Sequence, residues 1–226
     1  MNNALEIKNL LFKWNNQDNF SLKIKNLSIK RNKKVIMFGE SGSGKSTLLN
    51  LISGILSPIS GTIIIKDTIT NNLSSNKKDA FRANNIGVIF QQLNLLDYIS
   101  PINNILLPCF FTNFKKKNKN YFYNRAFNLA SKLDLKKNIL LQRNSSQLSL
   151  GQKQRVAIIR AVINKPFLIV ADEPTSALDN RNKENFLNLL VNICETEKIT
   201  LLMVSHDTSL KKYFDSNITL ERIVKK

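Results

Sequence analysis

Residues 39–46 constrain the fold of this chain more than any other segment, because they read Gly-Glu-Ser-Gly-Ser-Gly-Lys-Ser. The apolar run at residues 35–38 predicts a strand before this segment, and the apolar spacing of residues 47–52 predicts a helix after it. In that context the glycines let backbone N–H groups converge on phosphate oxygens, and the helix N-terminus adds a partial positive charge. We therefore expect a phosphate-binding loop in an α/β protein.

The residues of this loop have separate predicted roles. Lys45 is expected to reach the β- and γ-phosphates of a nucleotide, and Ser46 is expected to bind Mg²⁺. The other residues predicted to contact the nucleotide in this loop are Gly39, Ser41, Gly42, Ser43, Gly44 and Thr47. The alternative, a Gly/Ser-rich turn with a solvated lysine, is disfavoured because a strand and a helix flank the loop on the correct sides.

Two carboxylates follow a second apolar run, at residues 167–171. Asp172 is expected to hold Mg²⁺, directly or through water, and Glu173 to polarise the attacking water as a general base. An acidic pair after a strand is, taken alone, more often a helix cap or a turn. Together with the phosphate loop, the pair favours hydrolysis of a nucleotide.

Composition and charge exclude several other classes of protein. Hydrophobic residues make up 42% of the 226-residue chain, which indicates a globular protein, and the longest apolar run, residues 105–111, is broken by Pro108. Thirty-four Lys and Arg against 16 Asp and Glu give a net charge of +18. Such charge attracts polyanions, but the lysines are spread along the chain, so we predict no nucleic-acid partner. The one lysine cluster, residues 115–119, is predicted to be a solvated loop or helix end.

The cysteines and the N-terminus carry no special signal. Cys109 and Cys194 are far apart and the chain has one histidine, so neither a disulfide framework nor a zinc site is expected. No basic region followed by an apolar stretch opens the sequence, so we expect no secretory signal and a location in the cytosol.

Further motifs follow in a fixed order. Gln91 ends an apolar run, residues 148–152 read Leu-Ser-Leu-Gly-Gln, residues 176–179 read Ser-Ala-Leu-Asp, and His206 follows the apolar run at residues 200–205. In this order the sequence resembles the ATP-binding subunits of ABC transporters, from about residue 5 to residue 220. Gln91 is similar to their Q-loop glutamine, 148–152 to the signature, 176–179 to the D-loop and His206 to the switch histidine.

The resemblance implies a set of site residues and a partner chain. Lys45, Gln91, Glu173 and His206 would be catalytic, and Ser46, Gln91 and Asp172 would hold Mg²⁺. Ser149, Gly151, Gln152 and Asp179 would contact ATP held by a second copy of the chain in a head-to-tail homodimer around two ATP. Trp14 stands where the family has an aromatic residue that stacks on adenine, and Phe12 and Phe20 are competitors for that role.

The resemblance also implies a fold and a location. We expect one domain over residues 1–226, an α/β P-loop NTPase (RecA-like) core with an N-terminal antiparallel β subdomain. The core would comprise residues 1–90 and 149–226, and residues 91–148 would form an inserted α-helical subdomain. The protein would bind an integral membrane permease and so be peripheral to the cytoplasmic face of the cell membrane.

Residues 90–96 and 105–108 resemble the lipoprotein-release and macrolide-export group of this family. Two alternatives remain: an importer ATPase for a small solute, and a soluble non-transport ATPase of DNA repair or translation. The latter usually has long coiled-coil insertions or two fused halves, for which this chain has no room. Two positions depart from the family pattern: Leu150 replaces the usual glycine, and residues 32–34 lack the usual Gly-Glu pair, although a turn is still expected there.

Overall fold

The computed structural model describes residues 2–14, 20–112, 119–142 and 144–220, so that most of the lysine cluster, residues 115–118, lies outside the described residues. The strands are β1 (Asn3–Lys13), β2 (Ser21–Lys30), β3 (Lys34–Phe38), β4 (Ser60–Ile65), β5 (Thr68–Ile69), β6 (Ile86–Ile89), β7 (Leu168–Asp172), β8 (Thr200–Ser205) and β9 (Ser216–Thr219). The α-helices are α1 (Lys45–Ile52), α2 (Ser75–Asn85), α3 (Pro101–Leu106), α4 (Lys119–Lys132), α5 (Lys137–Leu140), α6 (Leu150–Val162) and α7 (Asn180–Thr196). Turns of 3₁₀-helix lie at Thr70–Asn72, Leu107–Phe111, Ser145–Gln147 and Thr208–Tyr213.

The central sheet has the strand order β6-β7-β8-β3-β9, and its neighbouring strands run parallel. Alternate residues of β7 and β8 pack into two different hydrophobic clusters. Ile169 and Leu201 belong to one cluster, whereas Val170 and Leu202 belong to the other. Each face of the sheet is therefore covered by its own apolar layer, which is typical of a parallel sheet in an α/β protein.

The second sheet, in the order β2-β1-β4-β5, is antiparallel and lies at the N-terminal end of the fold. Its strand β2 alternates between buried and exposed side chains, with Leu22, Ile24, Leu27 and Ile29 buried. These residues share one hydrophobic cluster with the buried face of α1. The helix that follows the phosphate loop is thus packed between the two sheets, and the predicted α/β core with an antiparallel β portion is confirmed.

The elements described within residues 91–148 are helical, and they pack against α6. Ile105 of α3 and Leu129 of α4 lie in the same hydrophobic cluster as Val156 and Ile159. Asn104 is fully buried, and its amide bonds both the N–H and the carbonyl oxygen of Leu96, at 2.8 and 2.9 Å. The boundaries 91–148 for a separate subdomain stay a prediction.

Three elements were not expected from the sequence. Helix α2 has no buried residue, so it shows no apolar period from which a helix could be predicted. Strand β5 has two residues and β9 is largely polar, so neither forms an apolar run. The turn expected before β3 is present, with Asn32 at a φ of 58°.

Candidate functional site

The phosphate loop joins the carboxyl end of β3 to the N-terminus of α1. Gly42 and Gly44 have φ angles of 78° and 98°, which side chains of L-amino acids rarely tolerate. At Gly44 a side chain would also meet a neighbour, because a Cβ atom there would lie 2.8 Å from Cζ of Phe20. These glycines therefore allow the left-handed turns that the loop requires, as the sequence predicts.

Lys45 turns back over the loop that precedes it. Its ammonium group donates to the carbonyl oxygens of Gly39 and Glu40, at 2.7 and 2.8 Å, and lies 3.3 Å from Oε1 of Glu173. Only 6% of the side chain is exposed. The loop thus holds one nearly buried cation at its centre, in the position from which a lysine binds phosphate oxygens.

The hydroxyl of Ser43 fits a ligand in the same loop. This Oγ atom is buried and has no hydrogen-bond partner in the described part of the chain. A buried hydroxyl without a partner is costly, and a phosphate oxygen would supply the missing hydrogen bond. The loop therefore fits the nucleotide that its sequence predicts.

Asp172 and Ser46 form a donor set suited to Mg²⁺. Asp172 is the last residue of β7, and its carboxylate accepts a hydrogen bond from the Ser46 side chain. Burial raises the pKa of Asp172, and the hydrogen bond from Ser46 opposes that change. A hydroxyl and a carboxylate in contact are the oxygen ligands that Mg²⁺ prefers, so these two residues fit the ion.

Glu173 contacts two of the other predicted catalytic residues. Its Oε2 lies 2.7 Å from Nδ1 of His206, while its Oε1 lies beside Lys45. The φ of Glu173 is 40°, a strained value for a residue with a side chain. Its backbone N–H donates to the carbonyl oxygen of Val204 at 3.1 Å, which ties the strained residue to β8. The carboxylate is thus fixed between a lysine and a histidine.

Gln91 reaches toward the predicted D-loop. Its Nε2 atom donates to Oγ of Ser176 at 3.1 Å, and the residue lines the same cleft as the phosphate loop. The sequence predicted Gln91 as a ligand of Mg²⁺, and the hydrogen bond to Ser176 was not anticipated. That role for Gln91 stays a prediction.

A cleft of about 370 Å³ opens above the loop. Its lining comprises Trp14, Phe20, Ser41, Gly42, Gly44, Lys45, Ser46, Thr47, Gln91 and Glu173. Trp14 is 50% exposed and packs edge-on against Phe12, with ring centroids 5.3 Å apart. An aromatic surface and a phosphate loop therefore lie on the same cleft, as a nucleotide requires.

The signature and D-loop residues do not line this cleft in the part of the chain that is described. Ser149 caps α6, where its hydroxyl accepts from the N–H of Gln152 and the Gln152 side chain accepts from the N–H of Ser149. Asp179 caps α7 by accepting from the N–H of Asn182 at 2.9 Å. Gly151 lies in the first turn of α6. These four predicted nucleotide contacts are therefore separate from the phosphate loop of their own chain.

Leu150 does not obstruct the opening of α6. It is the first residue of the helix, and 51% of its surface is exposed. That its side chain points away from a nucleotide held by a second copy of the chain stays a prediction.

Sequence reasoning missed the specific contacts of two site residues. Phe20 was considered only for stacking, but its ring packs against Gly44 and supports the loop. Arg160 of α6 donates to the carbonyl oxygens of Leu93 and Asn94, just after Gln91. An arginine in an otherwise apolar stretch of a helix is a signal that could have indicated such a role.

The fold and the cleft together define a class of protein. A parallel sheet carries a phosphate loop after β3 and a carboxylate pair at the end of β7, two strands away, with a lysine, a histidine and an aromatic ring around them. This arrangement is that of an α/β nucleotide-binding protein with a phosphate loop.

Comparisons with known proteins give the family. A family model described as ABC transporter matches residues 22–176. The chain is 36% identical over 225 residues to the lipoprotein-releasing system ATP-binding protein LolD of Wigglesworthia glossinidia brevipalpis, covering 98% of this chain and 96% of that protein. It belongs to the ABC transporter family, as an ATP-binding ATPase subunit.

Two further relatives support the same family. The chain is 42% identical over 181 residues to the ABC transporter ATP-binding protein MG467 of Mycoplasma genitalium, and this match covers 79% of the chain but only 55% of that relative's length. The solved dimeric post-hydrolysis structure of the ATP-binding cassette MJ0796, a protein of Methanocaldococcus jannaschii, is bound to ADP and Pi. It superposes with a TM-score of 0.80 at 32% identity, over 95% of this chain and 93% of that one.

No helix in the described ranges has the length and apolar character needed to span a bilayer.

Proposed function

We propose that this chain forms a homodimer around two ATP molecules and that ATP hydrolysis by the dimer drives a membrane permease of the lipoprotein-release or macrolide-export type. One observation carries the catalytic part: Glu173 contacts both Lys45 and His206 beside the phosphate loop. The permease type is supported by the match to LolD over nearly the full length of both chains.

The phosphate loop has a defined task in this proposal. The ammonium of Lys45 binds the β- and γ-phosphates. The carbonyl oxygens of Gly39 and Glu40, to which it donates, hold it at the loop. Ser46, Asp172 and Gln91 would hold Mg²⁺, which would supply positive charge against the charge that develops on the phosphates. The remaining loop residues bind through backbone N–H groups and through the hydroxyl of Ser43.

Glu173 is proposed as the general base. A carboxylate at this position can accept a proton from a water that attacks the γ-phosphate. His206 holds the same carboxylate through Nδ1, so it orients the base and can contact the phosphate with its other ring nitrogen. The strained backbone of Glu173 supports this role, because strain of this kind collects at active sites.

The dimer supplies the residues that one cleft lacks. Ser149, Gly151, Gln152 and Asp179 do not line the cleft of their own chain, so we propose that they bind ATP held by the other copy. The capped N-terminus of α6, a 13-residue helix, suits a γ-phosphate there. The dimeric form of the related MJ0796 cassette supports this arrangement.

The permease would dock at an apolar cleft of about 270 Å³ on the helical side of the molecule. Phe90, Leu107, Pro108 and Phe111 line it, and 64% of the Phe111 surface is exposed. Apolar surface of this kind is typical of a protein interface. In this proposal residues 91–148 act as the subdomain that contacts the permease, within one domain over residues 1–226, and place the protein at the cytoplasmic face of the membrane.

Replacing the base tests the catalytic part. Glu173→Gln should slow ATP hydrolysis by roughly 10²–10⁴-fold, because the amide cannot accept the proton. ATP binding should persist, so the variant should accumulate an ATP-bound dimer that elutes early in gel filtration. Glu184→Gln is the control, because Glu184 lies exposed on α7 and pairs with Lys212. If Glu173→Gln hydrolysed ATP at the wild-type rate, the assignment of Glu173 as the base would be wrong.

Site-specific crosslinking tests the permease. A photoreactive residue at Leu95, Ile99 or Phe111 should capture an integral membrane protein in cells. The same photoreactive residue in place of Lys25, which is exposed on β2, should not capture that protein. Recovery of only soluble or nucleic-acid partners from Phe111 would contradict a transport role and favour a non-transport ATPase.

A further inference from the structure

Arg160 connects α6 to the segment that follows Gln91. Its Nη1 donates to the carbonyl oxygen of Asn94 at 2.6 Å, and its Nη2 donates to the carbonyl oxygen of Leu93. The side chain is 8% exposed. One guanidinium therefore binds two consecutive backbone carbonyls across 66 positions of sequence.

The two carbonyls belong to a strained turn. Leu93 has a φ of 60° and Asn94 a φ of 46°, so two consecutive residues with side chains are left-handed. The N–H of Leu93 also donates to the carbonyl oxygen of Phe90 at 3.0 Å, which closes the turn around Gln91. Leucine rarely adopts this conformation, so surrounding contacts must hold it in place.

The charge of Arg160 is compensated by these carbonyls. No carboxylate lies within ion-pair distance of Arg160 in the part of the chain described here. Burial lowers the pKa of Arg160 to about 10, so the group is still protonated at neutral pH. A planar fork can reach two neighbouring carbonyls at once, whereas the single ammonium of a lysine is a point donor.

The same side chain reaches the apolar cleft. Arg160 and Phe90 both line that cleft, on the side where the permease is proposed to dock. Its helix α6 opens at Ser149, the residue proposed to bind the γ-phosphate of the other copy. Arg160 therefore lies on the helix that begins with the signature, and it contacts both the turn after Gln91 and the cleft.

We propose that Arg160 is a positioning residue, which holds the turn at Leu93 and Asn94 in its left-handed form and so sets Gln91 against the nucleotide. The proposal rests on the proposed function for the role of Gln91. When an element docked in the cleft moves, the hydrogen bonds of the Arg160 guanidinium transmit the displacement to the turn and so to Gln91.

Two variants and one control test this assignment. Arg160→Met removes the donors, and Arg160→Lys keeps a charge but can satisfy fewer carbonyls. Arg125→Met is the control, because Arg125 also donates to two backbone carbonyls, those of Val162 and Ile163 at the C-terminal end of α6, and it pairs with Glu197. The control thus loses two carbonyl bonds and an ion pair, more than Arg160→Met loses, without touching the turn.

Hydrogen exchange by mass spectrometry gives the first measurement. Peptides that cover residues 90–97 should exchange about tenfold faster or more in Arg160→Met, because the turn opens locally. Arg160→Lys should lie between this variant and the wild type. In Arg125→Met those peptides should exchange as in the wild type. Unchanged exchange in Arg160→Met, or an equal increase in Arg125→Met, would overturn the proposal.

Kinetics give the second measurement. For Arg160→Met, kcat should fall about 10- to 100-fold, since displacement of a catalytic group by about 1 Å has effects of this size. The affinity for ATP should stay at the wild-type value, because Arg160 does not touch the phosphate loop. A wild-type kcat would overturn the proposal. Absence of ATPase activity in the wild type would instead contradict the proposed function, and the exchange experiment does not depend on activity.

Discussion

Trp14 and Phe20 approach the nucleotide cleft from β1 and β2 respectively, but their contacts differ. The ring of Phe20 is committed to Gly44, which leaves no room for even a methyl group between them. Trp14 touches Phe12 only edge-on and keeps half of its surface exposed. Of the aromatic residues considered for stacking on adenine, Trp14 therefore has the free face, and Phe20 supports the loop.

Removal of Trp14 should weaken ATP binding. Stacking of a base on an aromatic ring contributes about 1–3 kcal/mol, so Trp14→Ala should raise the Kd for ATP by roughly tenfold or more. Hydrolysis at saturating ATP should change less, because Trp14 does not contact Glu173 or Lys45. Calorimetry measures the affinity directly.

Fluorescence provides a control for Trp14, since the chain has one tryptophan. ATP should change the emission of the wild type, and Lys45→Ala should suppress that change by removing the phosphate contact. An unchanged affinity in Trp14→Ala, together with a flat emission in the wild type at saturating ATP, would assign the stacking to a different residue.

At the scale of elements, the helix that begins at the signature is defined by a capping box. Ser149 and Gln152 satisfy one another's backbone N–H groups, which is how an S-x-x-Q sequence starts a helix. The buried residues of α6 then pack against both the parallel sheet and the helical segment. The signature therefore has a structural task in its own chain as well as its proposed task toward ATP.

Loss of the cap should lower stability and dimer formation together. Ser149→Ala should reduce the free energy of unfolding by about 1 kcal/mol, the usual effect of removing a serine cap. Urea denaturation measures this change. The control is Ser100→Ala, which removes the serine cap of α3. If Ser149 also binds ATP, only Ser149→Ala should prevent the ATP-bound dimer in a Glu173→Gln background.

The sequence predicted the elements that have a strong apolar signal. Strands β7 and β8 are apolar apart from their polar end residues, and the apolar spacing of residues 151–163 and 183–193 predicts helices, which the structure has as α6 and α7. Helix α2 could not be predicted, because none of its residues is fully buried and Phe81 is its one large apolar side chain. The left-handed turn at Leu93 and Asn94 was also hidden, because Leu is not a turn residue and its conformation depends on Arg160.

The candidate site was predictable to a similar extent. Contacts between residues that follow the carboxyl ends of the parallel strands, such as Ser46 in α1 with Asp172 and Glu173 with His206, agree with the expectation that these residues meet. The contact of Gln91 with Ser176 was not foreseeable, because it joins two loops far apart in the sequence.

At the scale of the whole molecule, an ion cluster joins the helical segment to the core. Arg125 and Lys132 of α4 lie 2.8 and 3.3 Å from the carboxylate of Glu197, just after α7. Burial is the largest single influence and acts to raise the pKa of Glu197, but the hydrogen bonds and charges of Arg125 and Lys132 together outweigh it, so the pKa is lowered. Arg125 also binds the last carbonyls of α6, so one side chain unites three helices.

Removal of Glu197 should destabilise the protein. Glu197→Ala leaves the partly buried Arg125 without its counter-charge, and breaking a partly buried pair in this way costs about 1–3 kcal/mol, between the values for exposed and for fully buried pairs. Urea denaturation of Glu197→Ala, Arg125→Met and the double variant gives the coupling energy. The double variant should be less destabilised than the sum of the single variants. Simple additivity would show that the two residues do not act as a pair.

The contact between Lys45 and Glu173 has a consequence for affinity. The ammonium that binds phosphate lies 3.3 Å from the carboxylate, so the base is an internal anion that competes with ATP for the same cation. A neutral residue at position 173 removes this competitor. Glu173→Gln should therefore bind ATP more tightly in the first encounter, so part of its retention of ATP reflects relieved repulsion and only the remainder reflects slow turnover.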